Sequence, residues 1–309
     1  MRSHHRTVGT PRRDGKGQAR NAVLVLQHGT GGAGGQFAAE LLGAGQPLDA
    51  SRYFVIMPDG IGDGQSSKPS DGLRAAFPRD GYEDMVRAQY RLATEGLGVA
   101  RLRLVMGTSM GGMHTWLWGQ RHPQAMDALM PLASQPDQIS GRNRPWRRVA
   151  IDAIRTDPAW QQGTYTTHRV GCAPLRSCSG WPAATRSSGS GRRPTLADTD
   201  RVLDAYVDAY VKTADANDVL YAFEAPRAYD RARGLGKIVA PLVTINSADD
   251  HHQPAGARHP RGGHHPAAPR RGHRGCRSAR ERSATPRTRW RACGRNTCQH
   301  CWRRRPRSD

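Results

Sequence analysis

The 309-residue chain is predicted to adopt an α/β fold with a mostly parallel sheet and helices on both faces. Three observations predict this class. Short apolar runs alternate along the chain with longer stretches of helical spacing. Turn-forming glycine and aspartate follow several of the apolar runs. One run also leads through a sharp, glycine-flanked turn directly into a helical stretch. Strands that alternate with helices in this way form parallel sheets whose crossover helices cover both faces.

The predicted elements follow one another without an internal repeat. We expect strands at residues 22–27, 53–57, 102–106, from 128 onward and at 238–245. Helical spacing covers residues 35–42, 82–95, 113–121 and 198–211. A loop rich in glycine, serine, proline and aspartate spans residues 59–71. The strand that ends at residue 245 is the last clear one.

The positive charge of the chain is concentrated in two windows. The whole chain has 47 basic and 26 acidic residues and a formal net charge of +21. Residues 251–309 contain 16 arginines against two acidic residues, and residues 166–194 contain five arginines and no acidic residue. All six cysteines lie in the same windows. The rest of the chain is close to neutral, as in an ordinary enzyme, so the charge says little about the folded part.

The second window is predicted to be disordered. Residues 251–309 contain no Leu, Ile, Val, Met, Phe or Tyr. So little apolar side-chain area does not offset an ordering entropy of roughly 1–2 kcal/mol per residue. We therefore expect one α/β domain at residues 1–250, followed by an Arg/Pro/Gly-rich tail. A cap region at about 136–226 contains the aberrant window 166–194.

Two interpretations of the windows compete. A basic arm would bind nucleic acid or acidic lipid headgroups through phosphate contacts. Alternatively, out-of-frame translation of GC-rich coding DNA yields this mixture of Arg, Pro, Gly, Ala, Ser, Cys and His. Lysine is absent from both windows, and the window 166–194 begins and ends abruptly between well-patterned stretches. These observations favour a frame error in both windows, and nucleic acid is the less favoured partner.

The cysteines and the hydropathy pattern bear on metal binding and compartment. Cys298, His300 and Cys301, with Cys293 upstream, have the ligand types of a zinc knuckle but lack a second ligand pair and a scaffold. The patterned part of the chain has no cysteine, which fits a reducing compartment. No apolar run reaches about 18 residues, and no signal peptide is recognisable. The chain is predicted to be cytoplasmic and soluble, without a metal, a cofactor or a membrane partner.

Ser109 is the first candidate for catalysis. It is the serine of a G-x-S-x-G match at residues 107–111, between an apolar run and a helical stretch. This context distinguishes a nucleophile elbow from a chance glycine-rich turn with a solvated serine. Glycines two residues to either side leave room for the strained serine backbone. The hydroxyl is then held at the head of the helix, where the helix dipole favours a developing negative charge.

The glycine-rich loop 28–32 is a candidate for an oxyanion hole. It follows the predicted strand 22–27, and it lacks the Lys-Ser/Thr ending that a phosphate-binding loop would require. An oxyanion hole beside a serine nucleophile takes one N–H group from the residue after the serine and one from a loop after an earlier strand. The backbone N–H groups of Thr30 and Met110 fit these two positions.

The turn 246–250 is a candidate for the acid of a catalytic triad. It directly follows the predicted strand 238–245 and comes after Ser109 in chain order. Asp249 or Asp250 would there fix the tautomer of a histidine and stabilise the imidazolium ion. The alternative is a solvated Asp-Asp turn without a catalytic role.

These motifs together resemble the homoserine O-acetyltransferase-like branch of the α/β-hydrolase superfamily. The resemblance is carried by the elbow at 107–113, the Asp-Pro-Ala-Trp and Gly-Thr-Tyr stretches at 157–160 and 163–165, the loop 58–71, and Asp250 four residues before a proline. It covers about residues 7–165 and 195–254. The family implies an α/β-hydrolase fold with a helical cap, and a ping-pong reaction through an acyl-serine without a metal.

The resemblance also assigns roles to individual residues. It makes Ser109 the nucleophile and favours Asp250 over Asp249 as the triad acid. It gives the oxyanion-hole N–H groups to Thr30 and Met110. The substrate implied is a small-molecule ester or an acyl-CoA, which would serve as acyl donor and not as a cofactor.

Three departures from the family pattern narrow this expectation. Ile151 stands where acetyltransferases carry an arginine that binds an amino-acid carboxylate, although Arg147 and Arg148 lie one turn away. The loop 28–32 resembles a general hydrolase more than an acetyltransferase. The family's histidine lies in a Gly-His-Gly-Thr-His-like stretch after a further strand, and the nearest imitation here is Gly-Gly-His-His at 262–265. The triad histidine is therefore unassigned, and the final strand and helix of the fold are expected to be missing.

The sequence thus predicts a serine-dependent acyl-transfer enzyme by lineage, either an ester hydrolase or an acyltransferase. Without a general base, serine is a weak nucleophile at neutral pH, so we expect little or no turnover. The alternatives are a nucleic-acid-binding protein with an arginine-rich tail and a nonfunctional product of a damaged reading frame.

Overall fold

A computed structural model describes residues 1–27, 35–141, 143–165, 195–211, 214–247 and 272–276. The chain divides into two units. The sheet unit comprises Met1–Ser66, Tyr82–Gln138 and Tyr229–Asp309, and the helical unit comprises Ser67–Gly81 and Ile139–Ala228.

The sheet unit is built on a seven-stranded sheet with the order β1-β3-β2-β4-β5-β6-β7. β1 pairs antiparallel with β3, and all the other neighbours are parallel. This mostly parallel sheet confirms the predicted fold class. The strands are β1 (His5–Val8), β2 (Ala22–Leu26), β3 (Phe54–Pro58), β4 (Leu104–Thr108), β5 (Leu129–Leu132), β6 (Val243–Ser247) and β7 (Gly272–Cys276).

Three of the strands are buried along their whole length. Every residue of β2, β3 and β5 is buried. A core on one face joins side chains from five strands, among them Val23, Val55, Met106, Met130 and Ile245. Parallel strands covered on both faces need such continuous apolar sequences in place of an alternating pattern. The apolar runs of the sequence therefore become inner strands.

Two helices and several short turns connect the strands of the sheet unit. The helices are α1 (Tyr82–Arg91) and α2 (Met110–Arg121). A π turn at Leu92–Gly96 continues α1, and 3₁₀ helices cover Gly35–Leu41 and Ala232–Lys237. The helices predicted at 82–95 and 113–121 are thus present with shifted ends, whereas the segment predicted at 35–42 forms a 3₁₀ helix.

β7 corrects the expectation that residues 251–309 contain no regular structure. Gly272–Cys276 runs parallel to β6, with Val243 opposite Gly272 and Ser247 opposite Cys276. The pairing is made by backbone groups, which do not depend on the apolar side chains that this segment lacks. A further strand therefore follows β6, and the rest of the tail lies outside the described residues.

The helical unit has its own core. Its helices are α3 (Asn143–Arg155), α4 (Leu196–Val211) and α5 (Ala216–Glu224), with 3₁₀ turns at Pro69–Asp71, Arg74–Ala76, Pro158–Gly163 and Ala225–Ala228. Ile151 and Ile154 of α3 pack with Tyr165, Val219 and Leu220. Among the described helices of both units, none is long and apolar enough to cross a membrane.

Asp218 ties the segment Ser67–Gly81 to α5 within the helical unit. Its carboxylate accepts hydrogen bonds from the Ser70 backbone N–H (2.8 Å) and hydroxyl (2.6 Å). Burial, the largest effect, and the nearby charge of Asp215 raise the pKa of Asp218 to about 6, against the lowering effect of Ser70 and Lys68. Because the folded pKa lies above the ordinary 3.8, this group favours folding below pH 3.8 and loses that contribution as the pH rises through 6.

Asp218→Asn is therefore expected to remove part of the pH dependence of stability. Between pH 4 and pH 7 the wild type should lose on the order of 1 kcal/mol more unfolding free energy than the variant, after allowance for solvent screening. Urea unfolding at both pH values checks this. Asp157→Asn, an aspartate of the same unit whose side chain accepts from the Ala159 N–H at 2.8 Å, serves as the control. Equal pH dependence in wild type and Asp218→Asn would contradict the prediction.

Candidate active site

Ser109 occupies a strained turn between β4 and α2. Its φ and ψ are 55° and −113°, and it is one of the few described residues other than glycine with a positive φ. Strain of this kind persists only when surrounding contacts enforce it. Ser109 N–H donates to Leu132 O at 2.9 Å, and Ser109 O accepts from Met113 N–H at 3.0 Å. The predicted strand, sharp turn and helix around this serine, called the elbow below, are thus present.

The glycines around Ser109 are needed because other backbone segments pass directly beside them. A Cβ on Gly107 would lie 2.5 Å from the carbonyl carbon of Gly111. A Cβ on Gly112 would lie 2.6 Å from Leu132 O. On Gly111 it would meet the carbonyl oxygens at the end of β2. No side chain fits at these positions, so the elbow depends on all three glycines.

The head of α2 supplies the electrostatic part of the site. Ser109 is half-buried, and Met110, the first residue of the helix, is 7% exposed. The N–H groups of a first helical turn have no partner within their own helix and carry the positive end of its dipole. An anion that develops next to Ser109 is therefore favoured. Within the described part of the chain, no side chain forms a hydrogen bond with Ser109 Oγ.

The other predicted site residues lie outside the described residues. Thr30 is three positions beyond Gln27, the last described residue before the loop after β2. Asp249 and Asp250 follow Ser247, the last residue of β6. Because β2, β4, β5 and β6 are parallel, their carboxyl ends share one edge of the sheet. The segments that carry Thr30, Ser109 and Asp250 all start from that edge.

The chain segment after β5 is a part of this edge that sequence reasoning missed. Ala133 has a φ of 44°, and Ser134 is 2% exposed. Ser134 N–H donates to Asn246 Oδ1, and Ser134 O accepts from Asn246 Nδ2, both at 3.1 Å. No pattern in the sequence pairs residues that lie 112 positions apart.

His114 and His122 of the sheet unit have other partners than Ser109. His114 is 1% exposed and accepts a hydrogen bond at Nδ1 from Gln89 Nε2 (3.2 Å). Burial lowers the pKa of His114 to about 3. His122 stacks on Tyr90 with ring centroids 3.8 Å apart, and burial lowers its pKa too. Neither ring is placed as a base for the serine.

His4 forms an Asp–His pair at a different strand. Its Nδ1 lies 2.8 Å from Oδ2 of the buried Asp59, which directly follows β3. β2 separates β3 from β4 in the sheet, so the ends of these two strands are about 10 Å apart. A general base must lie within about 3.2 Å of its proton donor. The pair therefore links the N-terminal segment to the end of β3 and is not placed to act as the base for Ser109.

The described residues contain no cluster of three or more metal-ligating side chains.

Ile151 and its neighbours belong to the structure of the helical unit. Ile151 is 5% exposed and lies in the core of that unit. Arg147 donates to Asn143 Oδ1 (2.8 Å) and stacks on the ring of Phe223. Arg148 pairs with Asp152 one turn further along α3. The two arginines that could have replaced a carboxylate-binding arginine thus have partners within their own unit.

Comparisons with known proteins agree with the architecture. Residues 22–263 match the family model described as alpha/beta hydrolase fold. A homoserine O-acetyltransferase of Caulobacter vibrioides is 33% identical over 260 residues, which cover 72% of this chain and 67% of that protein. A crystal structure of homoserine O-acetyltransferase from Bacillus anthracis superposes with a TM-score of 0.74 at 21% identity, covering 99% and 93% of the two chains. An acetylester hydrolase from Corynebacterium glutamicum superposes with a TM-score of 0.65 at 24% identity, covering 81% and 75%.

Proposed function

Because the chain belongs to the α/β-hydrolase fold family, in its homoserine O-acetyltransferase-like branch, we propose that it is built for acyl transfer through Ser109. The observation that carries this proposal is the strained backbone of Ser109 at the head of α2, between glycines at which a Cβ would clash with neighbouring backbone atoms. A serine without a chemical role gains nothing from a strained backbone.

The proposed reaction has two halves. Ser109 Oγ attacks the acyl carbonyl of an ester or an acyl-CoA and gives its proton to a base, and the alcohol or thiol leaves with a proton. The backbone N–H groups of Met110 and Thr30 would hold the oxyanion in each half. An acceptor hydroxyl or water then attacks acyl-Ser109 and restores the free serine. Asp250 would orient the imidazole of the base, and that histidine is unassigned in this chain.

The acyl acceptor is proposed to differ from an amino acid. Ile151 stands where the family's acetyltransferases carry their carboxylate-binding arginine, and its side chain packs in the core of the helical unit. Arg147 and Arg148 have partners of their own. An acceptor without a carboxylate, including water, needs no such cation. Ester hydrolysis is therefore the favoured direction, as in the acetylester hydrolase that superposes on this chain.

Trapping of the acyl-enzyme tests the proposal. Incubation with p-nitrophenyl acetate, followed by intact-mass and peptide analysis, should place one acetyl group on Ser109. Ser109→Ala should lose it, and Ser51→Ala, which removes a hydroxyl bonded to Asp49 at 2.7 Å, should keep it. Equal acetylation of wild type and Ser109→Ala would contradict the assignment of Ser109 as the nucleophile.

Turnover should be slow even where the acyl-enzyme forms. Loss of one triad member in a serine hydrolase leaves about 10³–10⁴-fold catalysis over water. We expect steady-state release of p-nitrophenol to stay within that range. Fast turnover that Ser109→Ala abolishes would show that a base is present after all.

We further propose that residues 166–194 and 251–309 are out-of-frame sequence. The absence of lysine and the confinement of all six cysteines to these windows support this origin. The coding DNA, read in all three frames across codons 166–194 and past codon 250, tests it. A frame that encodes a strand, a Gly-His-Gly-Thr-His-like stretch and a helix is the expected result, and a lack of any such frame contradicts the proposal.

A further inference from the structure

We infer that Asn246 is a positioning residue of the Ser109 site. Its side chain joins the end of β6 to the elbow through hydrogen bonds with the backbone of Ser134. The inference rests on the proposed function, since it concerns the placement of the segment that leads to Asp250. All the residues that carry it lie in the sheet unit.

The backbone pairing of β5 with β6 ends one residue before Asn246. Leu132 and Ile245 are the last paired residues of the two strands. Ala133 N–H still donates to Ile245 O at 2.9 Å. The backbone of the next residue, Ser134, then turns to the Asn246 side chain, with which it exchanges two hydrogen bonds of 3.1 Å.

A carboxamide can replace a peptide group at this point because it offers the same donor and acceptor. Asn246 therefore extends the hydrogen bonding between the two strands by one residue through its side chain. Without it, the N–H and C=O of Ser134, a residue that is only 2% exposed, would lose their protein partners.

The same segment contacts the elbow from its other side. Leu132 O accepts from Ser109 N–H at 2.9 Å. A Cβ on Gly112 would lie 2.7 Å from Ser134 Cβ, so Ser134 packs closely against the first turn of α2. Leu132, Ala133 and Ser134 thus connect Ser109 on one side with Asn246 on the other.

The left-handed backbone of Ala133 (φ 44°) shows that this connection is enforced. Such a conformation is strained for alanine and persists only when neighbouring contacts hold it. The hydrogen bonds of Ser134 to Asn246 are the contacts that directly follow it. Asp250, the proposed triad acid, comes four residues after Asn246 in the sequence. The two hydrogen bonds therefore fix the position of Asn246, from which the chain leads to Asp250, relative to Ser109.

Asn21 offers a matched control at the opposite edge of the sheet. It is a buried carboxamide that also bridges backbone groups, accepting from Arg12 N–H (2.7 Å) and donating to Arg52 O (2.9 Å). Asn21→Ala should therefore reduce global stability much as Asn246→Ala does, without touching the Ser109 edge. Ser51→Ala, which removes a hydroxyl bonded to Asp49 Oδ1 at 2.7 Å, should behave as wild type at the Ser109 edge.

The test compares these three variants and Asn246→Asp with the wild type in two measurements. Hydrogen–deuterium exchange of the full chain should increase about 10-fold or more in peptides covering 109–113 and 243–250 for the two Asn246 variants only. The rate of Ser109 acetylation by p-nitrophenyl acetate should fall about 10-fold or more in the same two variants, because a displacement near 1 Å impairs a reacting group strongly.

The outcomes separate the two proposals. If wild-type Ser109 is not acetylated at all, the proposed function fails, and the exchange data alone decide about Asn246. If Asn246→Ala and Asn21→Ala give the same local exchange and, where acetylation occurs, the same rate, Asn246 has no positioning role. Local exchange that increases only in the Asn246 variants supports it.

Discussion

Gly111→Ala is expected to lower the free energy of unfolding by about 2–3 kcal/mol and to reduce acetylation of Ser109. The new methyl group would collide with the carbonyl oxygens of Leu26 and Gln27. These are backbone atoms at the end of β2, which cannot rotate away as a side chain can. Overpacking of this kind costs typically about 1–3 kcal/mol. The helix must then shift away from β2, and Ser109 moves with it.

Gly119→Ala in the same helix is the control for this prediction. Both substitutions gain the helix propensity of alanine, up to about 1 kcal/mol, so that gain cancels in the comparison. At Gly119 the nearest atoms are methyl and methylene groups of Leu129 and Ile238, and such side chains can adjust. We expect the Gly119 variant to lose less than about 1 kcal/mol and to acetylate Ser109 as the wild type does. Urea unfolding and the acetylation rate measure both effects, and equal losses at the two glycines would contradict the explanation.

The elbow could be predicted from the sequence because its cause is local. Gly107, Ser109 and Gly111 lie within five consecutive positions, and the apolar and helical stretches flank them directly. The buried strands β2, β3 and β5 were predictable for a related reason. Their sequences are apolar at every position, which is the pattern of a parallel strand covered on both faces.

Features held together by distant backbone contacts could not be predicted in this way. β1 has no apolar alternation, and its antiparallel pairing with β3 was not foreseen. β7 has no large apolar and no β-branched residue, and only its register against β6 reveals it. Asn246 and Ser134 are joined by two hydrogen bonds across 112 positions. Sequence spacing contains no signal for such pairs.

Ile151 could be interpreted only in part from the sequence. The family resemblance implies an arginine at this position, and its absence led to the expectation of a different acceptor. The structure adds that Ile151 is packed in the core of the helical unit with Ile154 and Leu220. An apolar residue on the buried face of α3 stabilises that core, whereas an arginine there would need a partner for its charge. The apolar residue at position 151 is therefore part of the core of the helical unit.

His114 is expected to make the sheet unit less stable as the pH falls below about 6.5. Its ring packs edge-to-face against Tyr82, with centroids 4.6 Å apart, and burial lowers its pKa from 6.5 to about 3. The neutral form is thus retained in the folded state while the unfolded chain takes up a proton. The contribution to stability is complete above pH 6.5 and is lost as the pH falls towards 3, by up to about 1.4 kcal/mol per pH unit.

His114→Asn should remove this acid sensitivity, because an asparagine oxygen can accept the hydrogen bond from Gln89 without titrating. The variant loses packing at pH 7, but between pH 6.5 and 4.5 its unfolding free energy should fall by about 2 kcal/mol less than that of the wild type. His122→Asn is the comparison, since His122 is only half-buried and its lowered pKa should contribute a smaller slope. Urea unfolding at intervals of pH measures all three proteins. The carboxylates with lowered pKa values, such as Asp49 and Glu83, are common to them and cancel. Parallel curves for wild type and His114→Asn would mean that the buried imidazole takes up its proton without unfolding the chain.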